Sequence, residues 1–259
     1  MPTTITTELV KELRDATGIS VMQCRKALEE AGGDMKTAIA ILKKNSSAIA
    51  EKKVGREAKD GAVMIAGSET KSIIVPLNCE TDFVSRNEDF TTLLANLGQK
   101  AISDGVEAMK TSAKEMIDPV IQKTGENIQL GEISEVNGDV LGNYVHNSKN
   151  AVVVSLTGGD KELARDIAMH ITAMKPEYMD DNAVDEDTKN TITEVFKKEV
   201  ADIDKPEEIK KKILDGKIAT YFKEKTLTHQ PFIKDGEQTI GQLLEKAKAK
   251  IKEVKVYSI

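Results

Sequence analysis

The sequence predicts an α+β fold, on three observations. Helical apolar stripes fill the first segment of the chain, up to about residue 54. Two later segments each run apolar strand, polar turn, apolar strand and helix. A pair of polar-faced helices separates the second of these from a closing helix and strand. The composition agrees: with 31% charged residues, 3% aromatic residues and no Trp, the 259-residue chain reads as soluble and helix-rich, with a thin aliphatic core.

The elements follow in order. Val10 and Leu13 lie one turn apart on a helix that stops at Thr17-Gly18. Val21, Cys24, Leu28 and Ala31 continue at helical spacing to Gly32-Gly33, a helix-ending pair. Asp34 then caps a third helix carrying Ala38, Ile39 and Leu42. Residues 1–54 form a three-helix N-terminal domain, with 44–60 a helical extension passing into a linker. Residues 55–138 form a first core subdomain. Its strands at 62–66 and 72–77 flank Gly67-Ser68-Glu69-Thr70, and its helix carries Phe90, Leu93, Leu94 and Leu97. One further strand is expected within 128–136.

Residues 139–259 repeat the order as a second subdomain, which suggests a duplicated hairpin-helix core. Strands at 140–145 and 151–156 flank His146-Asn147-Ser148-Lys149-Asn150. The following helix carries Leu163, Ile167, His170, Ile171 and Met174 and closes at Lys175-Pro176. An antiparallel helical hairpin is expected over 183–224, with Ile192, Val195, Phe196 and Val200 on one helix and Ile209, Ile213, Ile218 and Phe222 on the other. Pro206 starts the return helix. Residues 226–232 rejoin the core, 239–250 form a last helix and 254–257 a last strand.

One short run stands out: Cys79-Glu80-Thr81-Asp82-Phe83-Val84-Ser85. Ser85 with Glu88 three residues later matches a capping box, so a helix should start near Arg86 and leave Phe83 on a connecting loop. Phe83 is open to two readings there. Its ring folds back over its own strand–helix junction, or it projects as a wedge into another protein.

Other chemistry is missing. With 37 basic and 43 acidic side chains the formal net charge is −6, which disfavours direct nucleic-acid binding. Cys24 and Cys79 form no paired motif and read as small buried hydrophobes. His146, His170 and His229 lack metal-ligand spacing, so no metal or other cofactor is expected. Gly216-Lys217-Ile218 lacks the rest of a phosphate loop. Asp180-Asp181-Asn182-Ala183-Val184 puts Val where a calcium loop needs oxygen. Lys210-Lys211-Lys212 and the lysines of 246–252 read as wet helix faces. No catalytic residue can be named. No run approaches a membrane span, and Met1-Pro2-Thr3-Thr4-Ile5 lacks the basic-then-apolar pattern of a secretory signal, so a cytoplasmic protein with no membrane contact is expected.

Several runs together resemble the translation elongation factor Ts family: Asn78-Cys79-Glu80-Thr81-Asp82-Phe83-Val84, Gly125-Glu126-Asn127-Ile128, Gly138-Asp139-Val140-Leu141-Gly142-Asn143-Tyr144, Asp166-Ile167-Ala168-Met169-His170 and Gln230-Pro231-Phe232. Their order and spacing extend over nearly the whole chain. The resemblance implies that the N-terminal domain is of the ubiquitin-associated (UBA-like) type and the helical hairpin a small coiled-coil arm. It implies a non-catalytic guanine nucleotide exchange factor for elongation factor Tu, met in its GDP-bound or nucleotide-free form. Asp82 and Phe83 would wedge into the GTPase and disturb its magnesium site, Thr81 and Val84 would hold their loop, and His146 would add a further partner contact. For His146 an exposed polar hairpin residue is the other reading. A C-terminal helical module found in many bacterial members is expected to be absent beyond Ile259. A general helical adaptor and an unrecognised α+β enzyme stand as rival classes. Retention of several lysate proteins would favour the first, and partner-free turnover of a small molecule the second.

Overall fold

Short polar side chains decide where the first helices begin. In the computed structural model, which describes residues 5–259, Thr6, Ser20 and Asp34 accept hydrogen bonds from Leu9 N, Gln23 N and Thr37 N. They open α1 (Thr7–Thr17), α2 (Val21–Glu30) and α3 (Met35–Glu51). These helices close around Leu13, Cys24, Leu28, Ala38 and Leu42. Two stripe residues behave otherwise. Val21, the first residue of α2, and Ile39, on the outer side of α3, are exposed. The reading of Met1-Pro2-Thr3-Thr4 lies outside the described residues.

The first hairpin forms as expected. β1 (Asp60–Gly67) pairs antiparallel with β2 (Lys71–Cys79) from Asp60 opposite Cys79 to Gly67 opposite Ser72. Beyond β2 the chain makes the one-turn helix α4 (Asp82–Ser85), then α5 (Glu88–Ser103) and α6 (Val106–Thr124). Ile73, Val75, Leu77, Phe90, Leu97, Met109 and Ile121 share the resulting core. α6 is an addition to the elements read from the sequence. It runs through Pro119 and packs against both α3 and α5. The single strand expected at 128–136 is two, β3 (Gln129–Leu130) and β4 (Ser134–Asn137), both on β2.

β5 (Val140–His146) and β6 (Asn150–Thr157) make the second hairpin, followed by α7 (Lys161–Met174). Gly142 is required in β5, because a Cβ there would lie 2.0 Å from the Ala164 carbonyl carbon of α7. α8 (Glu186–Ala201) and α9 (Glu207–Lys225) pack on each other. Their contacts run in reverse order, Lys210 to Ala201, Lys217 to Glu199 and Tyr221 against Phe196, as antiparallel helices require. A two-stranded ribbon, β7 (Pro231–Phe232) with β8 (Asp235–Thr239), was not anticipated. Thr239 and Gln242 form a full capping box at the start of α10 (Ile240–Lys246). This helix ends four residues before Lys250, since Lys248 adopts a left-handed φ of 49°, and β9 (Lys250–Ser258) is correspondingly longer than expected. β5, β6 and β9 form the second sheet in that order.

The chain divides into two compact units. The first is Met1–Glu135 with Val145–Ala151 and Tyr257–Ile259; the second is Val136–Tyr144 with Val152–Val256. The core of the second unit is built from Val152, Val154, Ile167, Ile171, Leu227 and Ile240. Within it the runs Ile167–His170 and Gln230-Pro231-Phe232 meet. His170 Nε2 lies 2.9 Å from Gln230 Oε1, and its ring is 6.2 Å from that of Phe232. Among the described residues no helix is long and apolar enough to cross a membrane.

Candidate functional site

Phe83 is 84% exposed, whereas Phe90, seven residues on, is fully buried. The reading in which the Phe83 ring folds back over its own junction is therefore overturned. The backbone also differs from the expected loop. Residues 82–85 close one helical turn, in which Ser85 N donates to Thr81 O, and Ser85 Oγ donates to Asp82 O at 3.1 Å. Ser85 is thereby buried and cannot cap the next helix. Asn87 caps it instead, its side chain accepting from Asp89 N. Val84, one residue from Phe83, belongs to the core of the first unit. The turn thus presents one apolar ring outward on a base that is anchored inward.

That base is held by a carboxylate from far along the chain. Glu80 N and Thr81 N both donate to Glu126 Oε2, at 3.1 and 3.0 Å, and Thr81 Oγ1 donates to Glu126 Oε1 at 2.7 Å. Glu80 reciprocates, its Oε1 accepting from Asn127 N at 2.7 Å. The Asn127 N–H, with the Arg56 charge behind it, holds the Glu80 carboxyl below the usual carboxylate range despite partial burial. The side chain of Asn127 donates in turn to Arg56 O at 2.6 Å. The bonds to the Glu126 and Glu80 carboxylates are charge-assisted, the stronger class. Gly125 makes the arrangement possible: its left-handed φ of 77° ends α6 and turns the chain back towards the α4 base. Sequence reasoning missed Glu126 as a site residue. Its signal was present, because Gly125-Glu126-Asn127-Ile128 is one of the runs on which the family resemblance rests.

The remaining chemistry is quiet. Burial, aided by the Asp60 and Glu126 charges, pushes the Cys79 thiol up to about 12, so it is no nucleophile near neutral pH. Its Sγ donates to Thr81 O at 3.2 Å, another tie on the turn. Asp82 is half exposed and pairs with Arg86 at 3.2 Å. No group of three or more His, Cys, Asp or Glu among the described residues could hold a metal ion.

His146 is exposed at the end of β5. Its Nε2 lies 3.2 Å from the Asn147 side-chain nitrogen. The hairpin tip beyond it and the end of α4 line one cleft, to which Ser85, Arg86, Asn147, Ser148 and Lys149 all contribute. The structure therefore brings the surroundings of His146 and of Phe83 to a shared cleft within the first unit. A second exposed apolar pair lies elsewhere in that unit: Met22, 83% exposed, with Val21 beside it at the start of α2.

A sequence profile of the family described as Elongation factor TS matches residues 80–259. The chain is similar over nearly its whole length to curated proteins named Elongation factor Ts. It is 39% identical to that of Thioalkalivibrio sulfidiphilus, covering 99% of this chain and 92% of the relative. It is 39% identical to that of Hahella chejuensis (95% and 89%) and 40% identical to that of Marinobacter nauticus (94% and 86%).

Proposed function

The chain belongs to the elongation factor Ts family, and from that premise we propose that the α4 turn is its working surface. The protein is a guanine nucleotide exchange factor of translation elongation, acting on elongation factor Tu. Phe83 and Asp82 form the wedge that enters the nucleotide domain of the GTPase. Thr81 and Val84 seat it, and His146 makes a further contact. The observation that carries this assignment is the 84% exposure of Phe83 on a turn fixed by three bonds to Glu126. An apolar ring so exposed and so firmly based is arranged to be buried by a partner.

The mechanism needs no covalent step. Magnesium bound by the GTPase neutralises the β-phosphate of GDP, so displacing it weakens nucleotide binding. Binding of the wedge and of GDP are coupled reciprocally: each weakens the other by the same factor. The chain meets the GTPase as its GDP or nucleotide-free form, without contacting nucleic acid or membrane, in the cytoplasm. We read α1–α3 as the family's UBA-like module, with exposed Val21 and Met22 gripping the nucleotide domain, and α8–α9 as its coiled-coil arm.

The test is release of labelled GDP from purified elongation factor Tu, with and without this chain. Acceleration by the wild type and its loss in Phe83→Ala support the assignment; equal rates for the two proteins refute it. The grip of α2 is tested by Met22→Ser rather than by deleting the first helices, because Ala50 of α3 is part of the core beneath β2. Met22→Ser should weaken binding of the GTPase while release at saturation is retained. Unchanged affinity would discard that contact.

A further inference from the structure

The tip of the β5–β6 hairpin is bonded to the outer edge of β1. Val63 N donates to Ser148 O at 2.8 Å, and Lys149 Nζ donates to Asp60 Oδ1 at 2.7 Å and to Gly61 O at 2.6 Å. The tip itself has no slack. Asn147 and Ser148 both hold positive φ, 50° and 55°, and Lys149 N donates back to His146 O at 3.0 Å, a tight two-residue turn. His146 therefore cannot move far unless Lys149 moves with it.

Asp60 is tied to the other side through the β1–β2 ladder, where it stands opposite Cys79. Burial alone would raise its carboxyl, but Lys149 and the Gly61 N–H hold it below the usual range. Cys79 Sγ in turn donates to Thr81 O at 3.2 Å, at the base of α4. A path thus runs from the residue after the His146 turn, through one carboxylate and the β1–β2 pair, to the backbone that carries Phe83. The Lys149–Asp60 pair is largely withdrawn from water, with side chains 32% and 28% exposed, so salt screens it less than a surface pair.

We propose that Asp60 and Lys149 are positioning residues for nucleotide exchange: their ion pair fixes His146 with respect to Asp82-Phe83, so that both meet the GTPase as one preorganised pair. The proposal rests on the assignment of Phe83 and His146 as partner contacts. Its physical basis is that holding two contacts in register before binding removes an ordering cost from the complex. A strut that merely plugs the β1 edge would show the same bonds, so the test needs a readout that such a strut would not move.

GDP release from elongation factor Tu is measured with the full chain carrying Lys149→Met, Lys149→Arg or Asp60→Asn. Each is made alone and combined with His146→Ala, with Phe83→Ala as the reference. Lys149→Met should slow release at saturating factor by about fivefold, on the scale of one ion pair. Lys149→Arg, which keeps the charge and the reach, should restore it. In the His146→Ala background Lys149→Met should have no further effect. Equal slowing in both backgrounds overturns the proposal, as does His146→Ala at the wild-type rate, or unchanged release in Lys149→Met while Phe83→Ala is slow. Phe83→Ala at the wild-type rate overturns the contact assignment beneath it instead. If Lys149→Met does not fold, the isosteric Asp60→Asn carries the same comparison.

Discussion

The α4 turn and the α8–α9 pair both expose apolar side chains, yet they are built on opposite terms. Phe83 stands on four residues, of which Val84 and Ser85 are buried and Thr81 is bonded to Glu126. Val195 and Ile209 are exposed too, but α9 buries no residue at all and α8 only Val200. The arm is held by ring contacts, such as Phe196 to Tyr221 at 5.8 Å, and by solvent-exposed ion pairs, such as Lys217 to Glu199. Under the proposed assignment, apolar exposure alone does not mark a working surface. The difference would lie in the seat beneath the exposed group, because a wedge transmits force only if its base is stiffer than what it enters.

That contrast can be broken, and the sharpest attempt is Phe83→Ala. Since the ring makes few contacts in the free protein, thermal unfolding should be nearly unchanged. GDP release should slow roughly tenfold or more, as expected for loss of a buried interface aromatic. Stopped-flow release with this variant, beside Val195→Ala as its counterpart on the arm, measures the difference directly.

Glu126→Ala removes the seat and leaves the ring. Two buried-side N–H groups and a hydroxyl lose their acceptor, at about 1–3 kcal/mol for each group left unsatisfied. Release should slow several-fold even though Phe83 is present, and Glu126→Gln, which keeps one acceptor oxygen, should fall between. If Glu126→Ala exchanges like wild type, rigidity of the turn is irrelevant.

Acid should separate the two units as well. His170 is fully buried, its Nδ1 has no hydrogen-bond partner, and burial depresses its pKa below 6.5. A depressed folded-state value means that the unfolded chain takes up the proton first. The stability it contributes is complete above about pH 6.5 and is lost as pH falls through the folded value. Glu80 is depressed from 4.5, so its contribution to the α4 base persists to lower pH. Denaturation of the second unit, followed between pH 7.5 and 5 by Tyr fluorescence, should weaken across this interval, and His170→Gln should flatten the dependence. A wild-type profile that is already flat would contradict the buried-imidazole account.

Val195→Ala should do least, changing stability by no more than about 0.5 kcal/mol and GDP release not at all. A strong loss of exchange in this variant would make the arm a second working surface and dissolve the contrast.

Much of this was legible because it is local. Asp34, Pro206 and Gly32-Gly33 announce helix ends whatever lies around them, and the apolar runs of both hairpins read as strands. α6 was hidden by Pro119, which reads as a breaker although the surrounding stripe of Met109, Ala113, Ile117 and Ile121 packs in the core. Ser85 misled because a capping box is defined by spacing, while burial turned its hydroxyl to Asp82 and gave the cap to Asn87. At the site, the residues around Phe83 left both a folded-back and a projecting ring open, and only the family resemblance favoured projection. Glu126 could not be placed there, since no rule of local spacing connects positions 45 residues apart. The family resemblance included it in one of its runs without assigning it a role at the site.

The distance between Thr81 and Glu126 also orders events in time. During synthesis the residues of α4 leave the ribosome long before the carboxylate that will seat them, and a loop of this length closes only once α5 and α6 have formed and docked. A nascent chain that ends before Glu126 can already own β1, β2 and Phe83, yet it carries the ring on an unbraced turn. Under the proposed assignment, exchange activity is therefore acquired only after Glu126 has docked, and shorter nascent chains carry no braced wedge towards the GTPase on which their own synthesis depends.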